Sequence, residues 1–176
     1  MRVITGSLRG RNFDSPRGHR THPMSDKIRG ALFNVLGDVA ELTVLDAFAG
    51  SGAIAIEAVS RGALHALAVE SDKTAQKTIS NNILSLEIED RMKLTRANAS
   101  VWSDNNTSQL FDIVVCDPPY DELQLSLIAK LTRHLTEDGV YVLSWPGSYE
   151  VPDLPTMEVV SHKTYGDAQL IFYKRV

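Results

Sequence analysis

The chain contains the stretch Phe111-Asp112-Ile113-Val114-Val115-Cys116-Asp117-Pro118-Pro119-Tyr120, a strand with an abrupt end. Its apolar, partly β-branched first part, over 111–116, predicts a buried strand. The two prolines cannot donate to a sheet ladder, so they force the chain out of the sheet. We therefore expect Asp117 at the carboxyl end of a strand, which is the position at which open α/β sheets bind their ligands.

The residues that follow this strand suit one kind of ligand. Asp117 supplies a carboxylate, Pro118 a carbonyl on a rigid backbone, and Tyr120 an aromatic plane. A carboxylate and a carbonyl can each accept one N–H, and the ring can stack on a base, so the loop predicts a planar ligand with an exocyclic amine. The alternative is a tight turn that ends the strand and whose acid caps a helix, since Pro-Pro is a common breaker of structure.

Strand and helix patterns alternate on both sides of this stretch and predict an α/β fold. The repeated units favour a parallel sheet with right-handed crossovers and helices on both faces. A terminal antiparallel pair follows, and a short N-terminal hairpin over 1–13 precedes a helix that Ser25 caps and Gly37 ends. The other predicted strands span 43–48, 64–69, 92–96, 140–143, 157–161 and 168–173, and the other helices 53–61, 72–86 and 122–135. In the first helix the predicted core stripe is Ile28, Ala31, Leu32, Val35 and Leu36, with Lys27 and Arg29 pointing away from it.

A glycine turn, Asp46-Ala47-Phe48-Ala49-Gly50-Ser51-Gly52, joins the strand over 43–48 to its helix. Glycine allows the backbone to approach a ligand closely, and helix amides then frame a pocket. Two cofactors are compatible with the turn. Its spacing fits a dinucleotide fingerprint, but a pyrophosphate gains nothing from the nearby Asp46 carboxylate, whereas the ammonium group of S-adenosylmethionine does.

Two further polar residues follow neighbouring strands. Glu70 ends the strand over 64–69 and could accept from both ribose hydroxyls of either cofactor. Asn98 follows the strand over 92–96, and its amide oxygen could accept from an adenine amine. The ordinary alternatives are a helix-capping or solvent-facing acid for Glu70 and a loop-terminating amide for Asn98.

Charge is distributed unevenly along the 176 residues. The net charge is −4, yet residues 1–30 carry seven Lys and Arg side chains against two carboxylates. A basic arm on an acidic body is typical of proteins that meet nucleic acid at one end, although a solvated tail is the alternative. We expect a single domain over 1–176, with a basic hairpin arm over 1–24 and a body over 25–176. The arginines expected to hold nucleic acid phosphates are Arg2, Arg9, Arg11, Arg17, Arg20 and Arg29.

The cysteine and histidine content and the N-terminal sequence further limit the class of protein. A single cysteine excludes an internal disulfide, and the N-terminus has no apolar signal region, so we expect a cytoplasmic protein without a membrane span. Five scattered histidines and no cysteine pair give no evident metal site.

Taken together, Asp46–Gly52, Glu70 and Asp117-Pro118-Pro119-Tyr120 resemble class I S-adenosylmethionine-dependent methyltransferases that act on exocyclic amines. The chain is more closely similar to the RsmD family. The stretches that carry this likeness are Met1-Arg2-Val3-Ile4-Thr5-Gly6, Leu8-Arg9-Gly10-Arg11, Ile28-Arg29-Gly30-Ala31-Leu32-Phe33-Asn34-Val35-Leu36, Phe48-Ala49-Gly50-Ser51-Gly52-Ala53 and Ser60-Arg61-Gly62-Ala63.

This resemblance implies a Rossmann-like methyltransferase with a mostly parallel seven-stranded sheet. It also implies methyl transfer from S-adenosylmethionine to the N2 amine of one guanine in small-subunit (16S) ribosomal RNA, with that RNA or the small subunit as partner, no metal, and a monomer. Asp117, Pro118 and Tyr120 would then hold the amine, and the cofactor would contact Asp46, Phe48, Gly50, Gly52, Glu70 and Asn98. The chain departs from the family pattern at His22-Pro23-Met24, Gly30 and Asn98, which affects the expected cofactor contacts.

Three other functions share some of these features. An N6-adenine DNA methyltransferase uses the same Asp-Pro-Pro-Tyr sequence, but it usually carries a target-recognition insertion for which 176 residues leave no room. A nicotinamide oxidoreductase would use the glycine turn alone. A ribosome-assembly RNA binder with a decayed site would not need an intact acid at Asp117.

Overall fold

The computed structural model describes residues 1–18 and 24–176, and its centre is a seven-stranded sheet. The strand order is β3-β2-β1-β4-β5-β7-β6. Strands β1 to β5 run parallel, and β7 pairs antiparallel with both β5 and β6. The expected class of fold is therefore confirmed, including the terminal antiparallel pair. The strands are β1 (Thr43–Asp46), β2 (His65–Glu70), β3 (Met92–Arg96), β4 (Phe111–Cys116), β5 (Leu135–Pro146), β6 (Met157–Tyr165) and β7 (Ala168–Arg175).

Helices cover both faces of this sheet. They are α1 (Asp26–Leu36), α2 (Ala53–Ser60), α3 (Lys73–Leu86), α4 (Ala99–Asn105) and α5 (Leu125–Leu131), and a 3₁₀ turn (Thr132–His134) follows α5. One apolar cluster joins α2 and α3 to the sheet, through residues such as Ile56 and Ile79. A second cluster on the opposite face includes Trp102 of α4 and Ile128 of α5. Strand side chains alternate between the two clusters, as a doubly covered sheet requires.

Two helical segments differ from the sequence prediction. The helix expected over 122–135 is α5 alone, because the 3₁₀ turn closes it and Leu135 already pairs with Phe111 in the sheet. Helix α4 was not predicted from the sequence. Its seven residues are too few to display a helical repeat, and its main local signal is the Asn98 side chain, which accepts from the Ser100 amide at 2.8 Å.

The N-terminal arm folds as the expected short hairpin and packs against α2. Arg2 and Asn12 form an antiparallel bridge, and the Val3 amide donates to the Arg11 carbonyl at 2.9 Å. Gly6 has φ 92°, and a Cβ at that position would lie 1.9 Å from the Ser60 carbonyl oxygen. Only glycine therefore allows the turn of the hairpin to approach the end of α2 this closely.

The buried carboxylate of Glu57, on α2, holds the arm in place. It accepts the backbone amides of Ile4 and Thr5, each at 2.9 Å, and pairs with Arg61 at 2.9 Å. The Arg29 guanidinium lies 3.8 Å from the same carboxylate. One carboxylate thus pairs with Arg61, lies near Arg29 and satisfies two backbone donors.

The placement predicted for Arg29 was wrong. Its side chain is fully buried, donates to Asp26 at 2.9 Å and to the Arg2 carbonyl at 2.8 Å, and therefore cannot face RNA phosphates. The buried residues of α1 are Arg29, Leu32 and Phe33, whereas Val35 is 37% exposed. Hydrophobic periodicity counts an arginine as a surface residue, and it has no means of detecting that Glu57 provides a buried partner charge.

Replacing Glu57 by Gln should destabilise the fold. The change keeps the shape of the side chain but leaves Arg29 buried beside a neutral amide, and breaking a buried ion pair in this way costs about 3 kcal/mol. Equilibrium denaturation of the variant should show this loss. Glu89→Gln, at an exposed position, is the matched control and should change stability by less than about 0.5 kcal/mol. Equal stability of the two variants would contradict the assignment of Glu57 as the anchor of the arm.

Candidate active site

The site is formed where the parallel strands β1 and β4 lie side by side. Asp46 pairs with Val115 in register, and the Ala47 amide donates to the Val115 carbonyl at 3.0 Å. The chain order reverses between these strands, because β1 continues toward β2 on one side and β4 toward β5 on the other. Such a switch point opens a crevice at the carboxyl ends of the strands. Asp46 and Asp117 both lie at this crevice, close enough for the charge of Asp117 to raise the pKa of Asp46.

The glycine turn begins at this crevice and leads into α2. Gly50 and Gly52 have φ 56° and 79°, a conformation that favours glycine. A Cβ on Gly52 would lie 3.2 Å from the Met92 side chain, so the turn also packs closely on the sheet. On Gly50 a Cβ would meet no atom of the described residues within 4 Å, which leaves the backbone approachable from the crevice.

Glu70 connects the turn to the neighbouring strand. One carboxylate oxygen accepts the Gly50 amide at 2.7 Å, and the other accepts the Asp72 amide at 2.8 Å. The residue is 9% exposed. A carboxylate has further lone pairs, so Glu70 can still accept from a ligand while it holds the turn.

Asp46 is buried without a hydrogen-bonding partner. The residue has no exposed surface, and none of the described groups forms a well-aligned hydrogen bond to either carboxylate oxygen, although the nearby Ala55 amide lowers the pKa slightly. Burial and the charges of Asp117 and Glu70 raise the pKa to about 8. An unpartnered, desolvated acid beside an approachable turn fits a cationic group of a ligand.

The amine-binding loop follows β4 directly. Asp117 is partly exposed, and desolvation raises its pKa to about 6, while a hydrogen bond from the Ser144 hydroxyl lowers it. The Tyr120 side chain is 38% exposed, and its hydroxyl lies 2.9 Å from the Ser144 hydroxyl and 3.1 Å from the Trp145 carbonyl. Pro118 is buried and rigidly continues the strand end.

Sequence reasoning missed Ser144, which lies in β5 and is 3% exposed. The available signal was a hydroxyl residue inside an otherwise apolar strand run, Tyr141-Val142-Leu143-Ser144-Trp145. A buried hydroxyl needs a partner, and here the partners come from a different strand end.

Two predicted cofactor residues lie at the edge of this arrangement. Phe48 is half-buried and packs, as Ala97 does, against the apolar cluster that includes Trp102. Asn98 is exposed, and the amide oxygen expected to accept from adenine is used in the cap of α4. The ordinary loop role considered for Asn98 is thus present, and an additional contact with a cofactor stays a prediction.

The predicted phosphate-binding arginines divide into several groups. Arg2, Arg9 and Arg17 are exposed. Arg11 is exposed as well, but its guanidinium donates to the carbonyls of Leu86 and Ser85 at 3.2 and 2.7 Å, so it caps the end of α3. Arg29 is buried, and Arg20 lies outside the described residues, as does His22 of the departing stretch.

Residues 1–18 and 24–176 contain neither a cluster of metal ligands nor a membrane-spanning helix. Within these ranges no three His, Cys, Asp or Glu side chains converge on a metal-sized site. No helix in the same ranges has the length and apolar character needed to cross a membrane.

Comparison with known proteins identifies the family. The family model described as Conserved hypothetical protein 95 matches residues 1–174. The YlbH protein of Bacillus subtilis is 34% identical and aligns over 99% of both chains. Ribosomal RNA small subunit methyltransferase D of Buchnera aphidicola is 33% identical over 80% of this chain and 71% of its own length. The chain belongs to the RsmD family.

A solved methyltransferase structure of similar fold agrees with this assignment. The methyltransferase yhhF from Escherichia coli superposes with a TM-score of 0.86 at 28% identity, over 99% of this chain and 97% of its own. The expected Rossmann-like class I methyltransferase fold is confirmed. The expected cofactor, S-adenosylmethionine, agrees with a further structural likeness: SMU.776, a methyltransferase solved in complex with SAH, superposes with a TM-score of 0.69 at 16% identity, over 84% of this chain and 48% of its own. The unpartnered Asp46 carboxylate would suit the ammonium group of S-adenosylmethionine.

Asp46 should make the stability of the ligand-free protein depend on pH. Its pKa is about 8 in the folded chain against 3.8 without burial, so folding favours the protonated acid. This contribution to stability is complete below pH 4 and is lost as the pH rises to about 8. Asp46→Asn removes the titration, and its melting temperature should therefore fall less than that of the wild type between pH 5 and 8 in differential scanning calorimetry.

The same variant should bind S-adenosylmethionine about 10-fold or more weakly in calorimetric titration, because an amide cannot neutralise an ammonium group. Asp90→Asn, at an exposed position, should behave as the wild type in both measurements. An unchanged pH dependence of melting in Asp46→Asn would show that Asp46 is not protonated in the folded chain.

Proposed function

We propose that this protein transfers a methyl group from S-adenosylmethionine to the exocyclic N2 amine of a guanine in small-subunit ribosomal RNA. The observation that carries the proposal is the adjacency of two acids at one crevice: the buried, unpartnered Asp46 beside the glycine turn, and the partly exposed Asp117 beside Tyr120. The first suits a cationic methyl donor, and the second suits an amine on a planar base. Membership of the RsmD family and the name of its Buchnera relative support ribosomal RNA as the substrate.

The residues around the glycine turn would hold the cofactor. Asp46 would accept from the ammonium group and Glu70 from the ribose hydroxyls, and the Asn98 amide would contact adenine, with Phe48 at the apolar side. Gly50 keeps the backbone clear for the ligand, and Gly52 allows the turn to pack closely on the sheet. When bound, S-adenosylmethionine supplies a methyl group whose bond to the sulfonium sulfur breaks as the new bond to nitrogen forms.

The loop after β4 positions the amine. Asp117 and the Pro118 carbonyl each accept one N–H, which draws the nitrogen lone pair out of conjugation with the ring, and Tyr120 stacks on a base turned out of its helix. The nitrogen loses one proton when it is methylated, and the Asp117 carboxylate is placed to accept it. Positioning supplies most of the rate enhancement in this scheme, with no covalent intermediate on the protein.

The N-terminal arm supports binding of RNA. Arg2 and Arg9 line a cleft of about 340 Å³ between the hairpin and the start of α1, with Asp26 at its edge. Both side chains are exposed, and Glu57 fixes the hairpin that carries them on the body of the protein. Arg17 and Arg20 continue the basic sequence of the arm toward α1. Contacts of arginine with phosphate give affinity that falls steeply with salt.

The methylation reaction tests the proposal directly. Small-subunit ribosomal RNA from a strain lacking this protein, either naked or in assembled subunits, is incubated with the protein and labelled S-adenosylmethionine, and its nucleosides are separated. We expect label in N2-methylguanosine. Label in N6-methyladenosine, or no incorporation into either form of the RNA, would overturn the proposal.

The Asp117→Asn variant tests the role of the acid in the same assay. An amide cannot accept the proton, so methyl transfer should fall about 100-fold or more, while calorimetry should show nearly unchanged binding of S-adenosylmethionine. Asp121→Asn, at an exposed position four residues into the loop, is the control and should retain activity. Near-normal turnover by Asp117→Asn would remove Asp117 from the mechanism.

Replacing Arg2 and Arg9 by Gln tests the arm. Each change should weaken RNA binding and reduce the slope of log affinity against log salt by about 1, because each removes one phosphate contact. Filter-binding titrations at several salt concentrations give these slopes. Lys174→Gln, on β7, serves as a control for the loss of one exposed positive charge. Equal slopes for the arm variants and the control would show that the arm does not bind RNA.

A further inference from the structure

Ser144 lies between the two side chains that would hold the methyl acceptor. Cys116 at the end of β4 pairs with Leu143 of β5, so the next residue on each strand, Asp117 and Ser144, lie beside each other. The Ser144 hydroxyl lies 2.9 Å from the Tyr120 hydroxyl, and its proximity lowers the pKa of Asp117. The serine itself is 3% exposed and belongs to a rigid strand near the middle of the sheet.

We propose that Ser144 is a positioning residue that joins Asp117 and Tyr120 into one hydrogen-bonded unit and thereby keeps Asp117 ready to accept the substrate amine. This inference rests on the proposed function, because it concerns the loop after β4 that would hold the methyl acceptor. It goes beyond that function because Ser144 would touch neither the cofactor nor the base.

Asp117, Ser144 and Tyr120 share only two hydroxyl hydrogens, and this number limits the ways in which they can hydrogen-bond to one another. Ser144 and Tyr120 each have one hydroxyl hydrogen, and the possible acceptors are the Asp117 carboxylate, the Trp145 carbonyl and the two hydroxyl oxygens. In one arrangement Ser144 donates to Asp117 and Tyr120 donates to Ser144. In the other, Tyr120 donates to the Trp145 carbonyl and Ser144 donates to Tyr120. A charged Asp117 favours the first arrangement, because hydrogen bonds to a carboxylate are stronger than those between neutral groups.

Both arrangements anchor the phenol hydroxyl of Tyr120 to β5, so the ring keeps its place while Asp117 changes its charge. The first arrangement also stabilises the carboxylate form of Asp117 against burial. Several groups face this unit: Asp46 on β1 and the buried Cys116 on β4 lie near Asp117, and the charge of Asp167, in the turn between β6 and β7, acts on Tyr120. These neighbours are acidic or neutral and do not stabilise the Asp117 carboxylate. The Ser144 hydroxyl is therefore needed to stabilise it.

Carboxyl-carbon NMR of the free protein tests the coupling without any substrate. The titration of Asp117, identified by its absence in Asp117→Asn, should move to higher pH in Ser144→Ala and stay near the wild-type position in Ser144→Thr, which keeps the hydroxyl. An unchanged titration in Ser144→Ala would overturn the proposal, whatever the protein is found to methylate.

The pH profile of methyl transfer provides the second measurement. In Ser144→Ala we expect the acidic limb of kcat to shift to higher pH, with about 10-fold less activity at pH 6 and recovery at pH 8 to 9, and Ser144→Thr should restore the profile. Tyr120→Phe keeps the ring but removes its anchor, and its effect should not add to that of Ser144→Ala in the double variant.

Each outcome separates this inference from the proposed function. Wild-type protein that fails to methylate guanine refutes the function, and the NMR titration still decides the coupling. Active wild-type protein with an equal loss of activity at every pH in Ser144→Ala, or with additive effects of the two substitutions, refutes the coupling and leaves the function standing.

Discussion

The parallel pairing of β1 with β4 is the constraint on which the rest of the site depends. It brings two strand ends from distant parts of the chain into register, Asp46 against Val115, and thereby places the glycine turn and the Asp-Pro-Pro-Tyr loop at one crevice. Because these strands continue into opposite halves of the sheet, neither loop covers the other. The methyl donor and the methyl acceptor can then approach from two sides, as direct transfer requires.

Two buried carboxylates, Glu57 and Asp46, differ in how far the fold compensates the free energy cost of burying them. The buried guanidinium of Arg29 lies 3.8 Å from the Glu57 carboxylate, but its Nε and Nη1 have no hydrogen-bond partner among the described residues. Glu57 itself is satisfied by two backbone amides and by Arg61, and it holds the arm to the body. Asp46 has no such partners, and burial keeps its pKa near 8. A buried acid that the fold leaves unsatisfied is expensive, and such groups are concentrated where a ligand completes them.

The arm shows that composition alone overstates a binding surface. Of the arginines predicted to bind phosphates, Arg2, Arg9 and Arg17 are exposed, Arg11 caps α3, and Arg29 of α1 is part of the interior network. The basic character of the arm therefore serves both attachment and, in the proposed function, contact with RNA. The number of cationic residues gives no indication of this division, because it depends on which carbonyls and carboxylates the folded chain brings near each guanidinium.

The sequence by itself determined the order of the strands and of the helices other than α4, the bounds of β3 and β4, the glycine turn and the acid that follows β4. Each of these depends on local pattern and on the backbone limits of glycine and proline. It could not place Ser144 beside Asp117, bury Arg29 against Glu57 or leave Asp46 without a partner. These features were decided by the tertiary structure. Each one is a contact, or a missing contact, between residues far apart in the chain, and the pairing of strands and the packing of helices on the sheet create it only after the local elements have formed.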